Sequence, residues 1–142
     1  MTVQLPGTAR ALIESGALAH CVTLNADGSA QVSAVWVGMD GDDIVMGHVP
    51  RHAKVRNLQR DPRVVLSLES PVRDPGGLQQ YLVVHGRATV TEGGAAELLH
   101  RLAVVYDGPD TAFALPPGAP PGYVVRIAPE RVGGSGPWTA HA

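Results

Sequence analysis

Short runs of alternating apolar and polar residues, separated by glycine, proline, asparagine and aspartate, dominate the chain. Alternation with a period of two is typical of a strand with one buried face, and the intervening residues are those that tight turns require. Neighbouring strands joined by such turns pair antiparallel. Six strands in a small domain are expected to close into a barrel, because closure removes the exposed edges. The predicted strands are Leu18–Leu24, Ala30–Gly38, Ile44–His48, Arg63–Glu69, Gln79–Thr91 and Gly122–Ala128.

Three short helices are predicted to flank these strands. The first is expected over Ala9–Ser15, where Thr8 can act as its N-terminal cap. The second begins after Pro50 and ends at Asp61-Pro62, because proline is excluded from a helix interior and displaces the residue before it from the helical region. The third, Ala95–Tyr106, has leucine and valine along one side at helical spacing.

Glycine and proline mark the remaining connections. Gly86, inside the fifth predicted strand, indicates a bulge or bend. Pro71–Gly77 and Asp107–Pro121 are predicted to be loops, and the longer of the two could shape a pocket wall or a dimer contact. Pro129–Trp138 is predicted to be a tail. Without an internal repeat or a linker, residues 1–142 are expected to form a single domain, mostly β (α+β).

Composition and charge argue against several classes of protein. The net charge of −2 and the pI near 6.3 are unlike those of a dedicated nucleic-acid-binding protein. A single cysteine, Cys21, allows no internal disulfide, which agrees with a reducing cytoplasm, and its apolar neighbours predict a buried structural thiol. Residues 1–16 do not resemble a signal peptide, and no apolar run is long enough to cross a membrane. We therefore expect a cytoplasmic protein that binds neither nucleic acid nor membrane.

Positive charge is concentrated at the unfavourable end of the second helix. Arg51, His52, Lys54 and Arg56 crowd its first turn, where the helix dipole is already positive. Each cation there should cost from a few tenths to about 1 kcal/mol, and a short helix has little stability to lose. An anion held by the free N–H groups and the side chains would make the arrangement favourable. A solvated basic face is the alternative, and the charges alone leave both interpretations open.

Other kinds of site find less support in the sequence. It contains no Gly-x-Ser-x-Gly elbow, no Walker or Rossmann glycine loop and no His-Glu-x-x-His. His48 and His52 are four residues apart, but Pro50 lies between them, so no metal site is predicted. The strand segment Ser33–Trp36 could offer backbone groups to the edge of a flat heterocycle. Trp138 is either an apolar residue that fills a dimer interface or an aromatic wall that stacks on a ring, and both roles remain open.

Three segments, together with the order of elements, resemble one family. They are Gly28–Val37, the run Ala53-Lys54-Val55-Arg56-Asn57-Leu58-Gln59-Arg60-Asp61-Pro62, and the tail Pro129–Trp138. This combination resembles the pyridoxamine 5′-phosphate oxidase-like flavin and deazaflavin proteins, and most closely the actinobacterial coenzyme F420-dependent oxidoreductases of that superfamily. The resemblance covers nearly the whole chain. It implies a six-stranded antiparallel split β-barrel (FMN-binding split barrel) that forms a homodimer, with two cofactors in grooves between the subunits.

The resemblance also implies where a cofactor would bind. Lys54 corresponds to the phosphate position, Ser33–Trp36 to the strand along the ring system, and Trp138 to a C-terminal residue that often reaches the partner's site. No catalytic side chain is nominated, because hydride chemistry belongs to the cofactor. The implied cofactor-binding residues are Ser33, Ala34, Val35, Trp36, Gly47, His48, Arg51, His52, Lys54, Arg56, Tyr81 and Trp138.

Two departures from the family pattern refine the expected function. The arginine-rich C-terminal end of true pyridoxamine phosphate oxidases is missing, so their substrate is not expected here. Gly38 stands where FMN-binding members often carry a lysine, which favours coenzyme F420 over FMN. The expected function is that of an F420-dependent oxidoreductase (PPOX class) that transfers a hydride between the deazaflavin and a small electron-poor organic substrate. An FMN-dependent oxidase or reductase, and a non-catalytic flavin-, deazaflavin- or haem-binding protein, remain alternatives.

Overall fold

Seven strands and three helices form within residues 1–139, the part of the chain that the computed structural model describes. The helices are α1 (Gly7–Ile13), α2 (Ala53–Arg60) and α3 (Ala95–Asp107). No helix in this part is both long and apolar enough to span a membrane. The strands are β1 (Ala19–Leu24), β2 (Ala30–Val35), β3 (Gly38–Asp40), β4 (Asp43–His48), β5 (Arg63–Arg73), β6 (Gln79–Glu92) and β7 (Tyr123–Ser135).

The strand order β2-β1-β5-β6-β7-β4-β3 explains how the sheet closes. Every neighbouring pair is antiparallel, as the tight turns predict. The two edge strands, β2 and β3, are consecutive in the chain, and only Trp36 and Val37 separate them. The edges of the sheet therefore meet at one corner, which we call the seam, without pairing along their length in the described residues. This arrangement is a split barrel, and it confirms the predicted fold class.

The predicted strand Ala30–Gly38 is wrong in one respect, because it is two strands. β2 pairs with β1, whereas β3 pairs with β4, so the count rises from six to seven. The apolar run Ala34–Val37 spans the break without a polar residue, a glycine or a proline to mark it. Tyr106 of α3 fills the gap, since its hydroxyl accepts a hydrogen bond from Val37 N–H (3.0 Å) and donates one to the Ala17 carbonyl (2.8 Å).

Two segments predicted to lie outside the strands belong in part to strands. Part of the predicted loop Pro71–Gly77 belongs to β5, and most of the predicted tail Pro129–Trp138 belongs to β7. Both extensions follow from the length of β6, whose 14 residues pair with β5 on one side and with β7 on the other. Backbone pairing with an established strand overrides the weak strand preference of glycine and proline.

The helices lie close to their predicted positions. α2 ends at Arg60, with Asp61 as its C-terminal cap, as the Asp-Pro signal predicts. The cap assigned to Thr8 is wrong, because α1 begins at Gly7 with Pro6 as its N-cap and with no side-chain hydrogen bond. Proline fits this position, since its fixed φ suits the start of a helix and it has no N–H to leave unpaired.

Aliphatic side chains from every strand, together with residues of α1 and α2, form one hydrophobic core. Cys21 of β1 is fully buried in it, as the sequence predicts. Burial raises the pKa of the Cys21 thiol to about 11. The thiol is therefore protonated at neutral pH, and Cys21 acts as a small apolar core residue.

Gly86 produces the predicted bulge, and its substitution should be destabilising. The register between β6 and β7 shifts between His85 and Gly86. A Cβ at Gly86 would meet Ile127 Cγ2 at 2.6 Å and the Ala128 carbonyl oxygen at 2.7 Å. Gly86→Ala is therefore expected to lower the free energy of unfolding by about 1–3 kcal/mol in urea denaturation. Gly133→Ala is the control, because no atom lies within 4 Å of its added methyl, and an equal loss in both variants would contradict the steric explanation.

Candidate functional site

An open cavity of about 290 Å³ lies beside Trp36 and next to the edge strand β2. Residues of β2, β4, α2 and α3 line it, so the fold brings together segments that are far apart in the sequence. Seven of the twelve predicted binding residues are among the lining residues. The lining residues are Leu18, Ala34, Val35, Trp36, Gly47, His48, His52, Lys54 and Leu99.

Lys54 supplies the positive charge of this cavity. α2 carries Lys54 in its first turn, and only 8% of the residue is exposed. Its Nζ donates a hydrogen bond to Ser33 Oγ at 3.2 Å, and Lys54 forms no ion pair within residues 1–139. Burial lowers the pKa of Lys54 from its ordinary value. A nearly buried ammonium with a single neutral acceptor is costly, and a bound anion would offset that cost.

Asn57 fixes the helix that carries Lys54. Its Nδ2 donates to Thr23 Oγ1 (3.0 Å) and to Asn25 Oδ1 (2.9 Å), which joins α2 to the hairpin formed by β1 and β2. Asn57 is itself buried, and so are the neighbouring apolar residues of α2. The register of β2 on β1 places Ser33 opposite Cys21, on the face that packs toward the core. Lys54 and Ser33 are therefore held by rigid elements.

Two neutral histidines lie next to Lys54. His48 is 7% exposed, and its ring centroid lies 6.0 Å from that of His52 with the planes nearly perpendicular. Within the described residues, His48 Nε2 is buried without a hydrogen-bond partner. Burial, followed by the charge of Lys54, lowers the pKa of His48 to about 3 and also lowers that of His52. Both rings are therefore mainly neutral at pH 7, and Lys54 is the cation among the lining residues.

The low pKa of His48 predicts a pH-dependent stability. The unfolded histidine binds a proton below about pH 6.5, whereas the folded one does so only near pH 3, so stability is lost as the pH falls below 6.5. The loss should approach about 1.4 kcal/mol per pH unit. Urea denaturation at pH 7, 6 and 5 should show a shallower slope for His48→Gln than for the wild type. Equal slopes would contradict the buried, neutral state of His48.

An aromatic group forms another side of the cavity. The Trp36 ring stacks on Tyr106, with centroids 5.3 Å apart and planes 13° apart. Phe113, from the loop between α3 and β7, meets the same ring edge-on at 5.9 Å. The loop predicted to shape a pocket wall therefore contacts the cavity lining through Phe113 and Trp36. The cavity combines a flat aromatic surface with a buried cation, which suits a planar ring that carries an anionic group.

Sequence reasoning missed Leu18, Leu99, Tyr106 and Phe113. Apolar periodicity places Leu99 on the buried side of α3, but it does not distinguish a residue that lines a cavity from one that fills the core. Gly47 gives an indirect signal, because a Cβ there would meet Leu99 Cγ at 3.3 Å. The absence of a side chain on β4 thus allows α3 to approach the cavity.

Five predicted binding residues do not line the cavity, and one of them, Ser33, instead accepts the hydrogen bond from Lys54. Arg51 and Arg56 are exposed at its basic side, where Arg56 Nη1 donates to the Arg51 carbonyl at 2.7 Å. Tyr81 is exposed on β6. Trp138 is 4% exposed and belongs to the core of its own chain, with Nε1–H donating to the Tyr81 carbonyl at 3.1 Å. The structure thus places Trp138 in the core of its own chain, and Trp138 does not line this cavity.

Gly38 does not discriminate between cofactors in the way the sequence indicates. A Cβ at this position would meet Leu102 Cδ2 at 2.8 Å and Arg101 Nη2 at 3.4 Å. A side chain here would therefore point at α3. The missing lysine reflects packing of α3 on β3 and is not evidence for or against a phosphate contact. Elsewhere in residues 1–139, no group of three or more His, Cys, Asp or Glu is placed to hold a metal ion.

Fold and site together define a split-barrel protein with a basic, aromatic-walled cavity at the sheet edge. The chain belongs to the pyridoxamine 5′-phosphate oxidase family, whose model matches residues 5–135. No curated protein gives a significant sequence match.

Several solved structures are similar. An F420 reductase is 26% identical with a TM-score of 0.73, over 91% of this chain and 98% of that one. The conserved hypothetical protein Rv2991 from Mycobacterium tuberculosis is 25% identical with a TM-score of 0.71, over 92% and 84%. A histidine-to-alanine variant of HupZ from Group A Streptococcus is 18% identical with a TM-score of 0.64, over 93% and 100%, and shows the fold alone.

Proposed function

We propose that this protein binds coenzyme F420 and transfers a hydride between the deazaflavin and a small electron-poor organic substrate. The observation that carries the proposal is the nearly buried Lys54 ammonium, which has one neutral acceptor and no ion pair in the described residues. Likeness to an F420 reductase at 26% identity supports the choice of cofactor. Membership of the pyridoxamine 5′-phosphate oxidase family supports the choice of an oxidoreductase.

The residues of the cavity suit such a ligand. Lys54 would neutralise its phosphate, and each charge-assisted hydrogen bond there is worth about 1.5–3 kcal/mol. β2 is an edge strand, so backbone groups near Ala34 are free to bind the edge of a ring, and Trp36 offers an apolar surface beside them. The exposed Arg51 and Arg56 would meet an anionic tail. When bound, the deazaflavin supplies the hydride chemistry, and the protein supplies orientation and an environment from which water is excluded.

We also infer that a second copy of the chain completes the site. Val32, Val22 and Val65 lie side by side across β2, β1 and β5, and Val32 is 58% exposed. Val22 and Val65 are half-buried, so the three side chains form a partly exposed apolar row, and an apolar patch of this kind on a sheet face indicates an interaction surface. This surface adjoins the edge strand that borders the cavity, so a partner covering it would also cover the cavity. Sedimentation analysis should give the mass of a dimer, and a monomer at micromolar concentration would contradict the inference.

Parallel titrations with coenzyme F420 and with FMN test the cofactor. We expect F420 to bind at least about tenfold more tightly, which corresponds to about 1.4 kcal/mol. Tighter binding of FMN would mean that the cofactor is a flavin and not the deazaflavin. If neither cofactor binds, the proposal is overturned. The reduced cofactor is then mixed with quinones, enones and tetrapyrroles. Oxidation by one of these supports an enzyme, whereas binding without turnover on the whole panel would indicate a non-catalytic binding protein.

A further inference from the structure

Tyr106 contacts the break between β2 and β3 and the aromatic wall of the cavity. Its hydroxyl accepts the hydrogen bond from Val37 N–H and donates to the Ala17 carbonyl, at 3.0 and 2.8 Å. Its ring stacks on Trp36 at 5.3 Å with nearly parallel planes. One side chain of α3 thus joins the segment before β1, the break between β2 and β3, and a residue that lines the cavity.

The sheet itself does not hold Trp36 and Val37. The last pair of β2 on β1 is Val35 opposite Ala19, and β3 begins its pairing with β4 only at Gly38. Val37 is 1% exposed, so its N–H would be buried and unpaired without the Tyr106 hydroxyl. An orphaned buried N–H is rare in folded proteins because it is unfavourable. The hydrogen bond to Tyr106 therefore fixes the backbone at the point where Trp36 leaves the sheet.

The Tyr106 hydroxyl suits this double role chemically. It acts as donor and as acceptor at the same time, which only the protonated form can do. Burial raises the pKa of Tyr106 from its ordinary value, so the hydroxyl stays protonated throughout the neutral range. Phe113 contacts the Trp36 ring as well, but it forms no hydrogen bond with Val37 or Ala17. The two aromatic neighbours of Trp36 thus differ in a way that an experiment can use.

We propose that Tyr106 is a positioning residue, which anchors the break between β2 and β3 to Ala17 through its hydroxyl and thereby holds the Trp36 ring as the aromatic wall of the cavity. The expected effect on cofactor affinity rests on the proposed function, whereas the effect on Trp36 itself does not. Tyr106 is not expected to touch a bound ring, because the Trp36 side chain lines the cavity and Tyr106 does not.

Acrylamide quenching of Trp36 fluorescence in the ligand-free protein tests the positioning. The variant Tyr106→Phe keeps the stacked ring and removes both hydrogen bonds. Emission of Trp36→Phe, which contains only Trp138, is subtracted to isolate Trp36. Because loss of local contacts lowers the free energy of local opening, we expect the quenching constant of Trp36 to rise at least about twofold in Tyr106→Phe. An unchanged quenching constant would overturn the proposal.

Two further variants separate positioning from general loss of stability. Ile13→Val removes a methylene group from the core in α1 but leaves the stacked ring and both hydrogen bonds of Tyr106 in place. It should therefore leave Trp36 quenching unchanged at a melting temperature similar to that of Tyr106→Phe. Phe113→Leu loses the edge contact but keeps both seam hydrogen bonds, so its effect should be smaller than that of Tyr106→Phe. A rise of equal size in Ile13→Val would mean that Tyr106 is merely structural, and would overturn the proposal.

The dissociation constants for coenzyme F420 and FMN complete the experiment. Whichever cofactor the wild type binds should bind about five- to tenfold more weakly to Tyr106→Phe, with Ile13→Val unchanged. Increased quenching with unchanged affinity would overturn the link between the seam and the ligand. If the wild type binds neither cofactor, the proposed function fails, and the quenching result alone then supports or overturns the role of Tyr106 at the seam.

Discussion

Replacing Lys54 by methionine is expected to weaken cofactor binding by about ten- to a hundredfold, since charge-assisted hydrogen bonds are worth about 1.5–3 kcal/mol. The same change should raise the free energy of unfolding of the ligand-free protein, because it removes a nearly buried charge that has no ion pair in residues 1–139. Methionine keeps the apolar stem of the side chain, so packing changes little. Calorimetric titration and urea denaturation measure the two effects, which should have opposite signs.

Two controls make the Lys54 prediction specific. Lys54→Arg retains the charge and should keep more of the affinity than Lys54→Met, although its planar group differs in geometry. Arg73→Met makes the same change in net charge at the exposed end of β5 and should leave affinity within about twofold, because exposed charges are screened. Unchanged affinity in Lys54→Met, or an equal loss in Arg73→Met, would contradict a direct contact between Lys54 and the ligand.

The start of α2 shows how far local sequence determines the site. The four basic residues there, Arg51, His52, Lys54 and Arg56, and the limits of α2 could be predicted, because proline and charge act locally. Which cation is buried could not be predicted, since that depends on how α2 is rotated against the hairpin of β1 and β2. Asn57 sets this rotation through Thr23 and Asn25, more than thirty residues away. As a result, Lys54 is buried while Arg51 and Arg56 are exposed.

The seam shows where strand patterns fail. Alternation of apolar residues predicts that a segment is extended, but it does not say which neighbour the segment pairs with. At the change of partner between β2 and β3, the buried Val37 N–H is paired by Tyr106, which lies 69 residues further along the chain. The second half of β7 could not be predicted for a related reason. Its glycine and proline content indicates a loop, and it forms a strand because it pairs with the long β6. Long-range pairing, and not local preference, decides both features.

Trp138→Ala is expected to lower the free energy of unfolding by about 3–5 kcal/mol, the range for removal of a large aromatic residue from a core. Trp138 is 4% exposed, its ring packs over Gly136, and its Nε1–H is the hydrogen-bond partner of the Tyr81 carbonyl. Urea denaturation of the ligand-free protein, followed by far-UV circular dichroism, measures the loss. Trp138→Phe keeps an aromatic ring but loses the donor, so it should cost less than the alanine variant.

The same variants separate the two interpretations of the C-terminal tryptophan. If Trp138 belongs to the core of its own chain, Trp138→Ala lowers stability strongly, while Trp138→Phe leaves cofactor affinity nearly unchanged, because the ring does not line the cavity. If it instead stacked on a ligand in the partner subunit, Trp138→Ala would retain stability and lose affinity. A protein in which both variants remain as stable as the wild type would contradict the core assignment, since a buried side chain of this size cannot be removed without a cavity or a collapse.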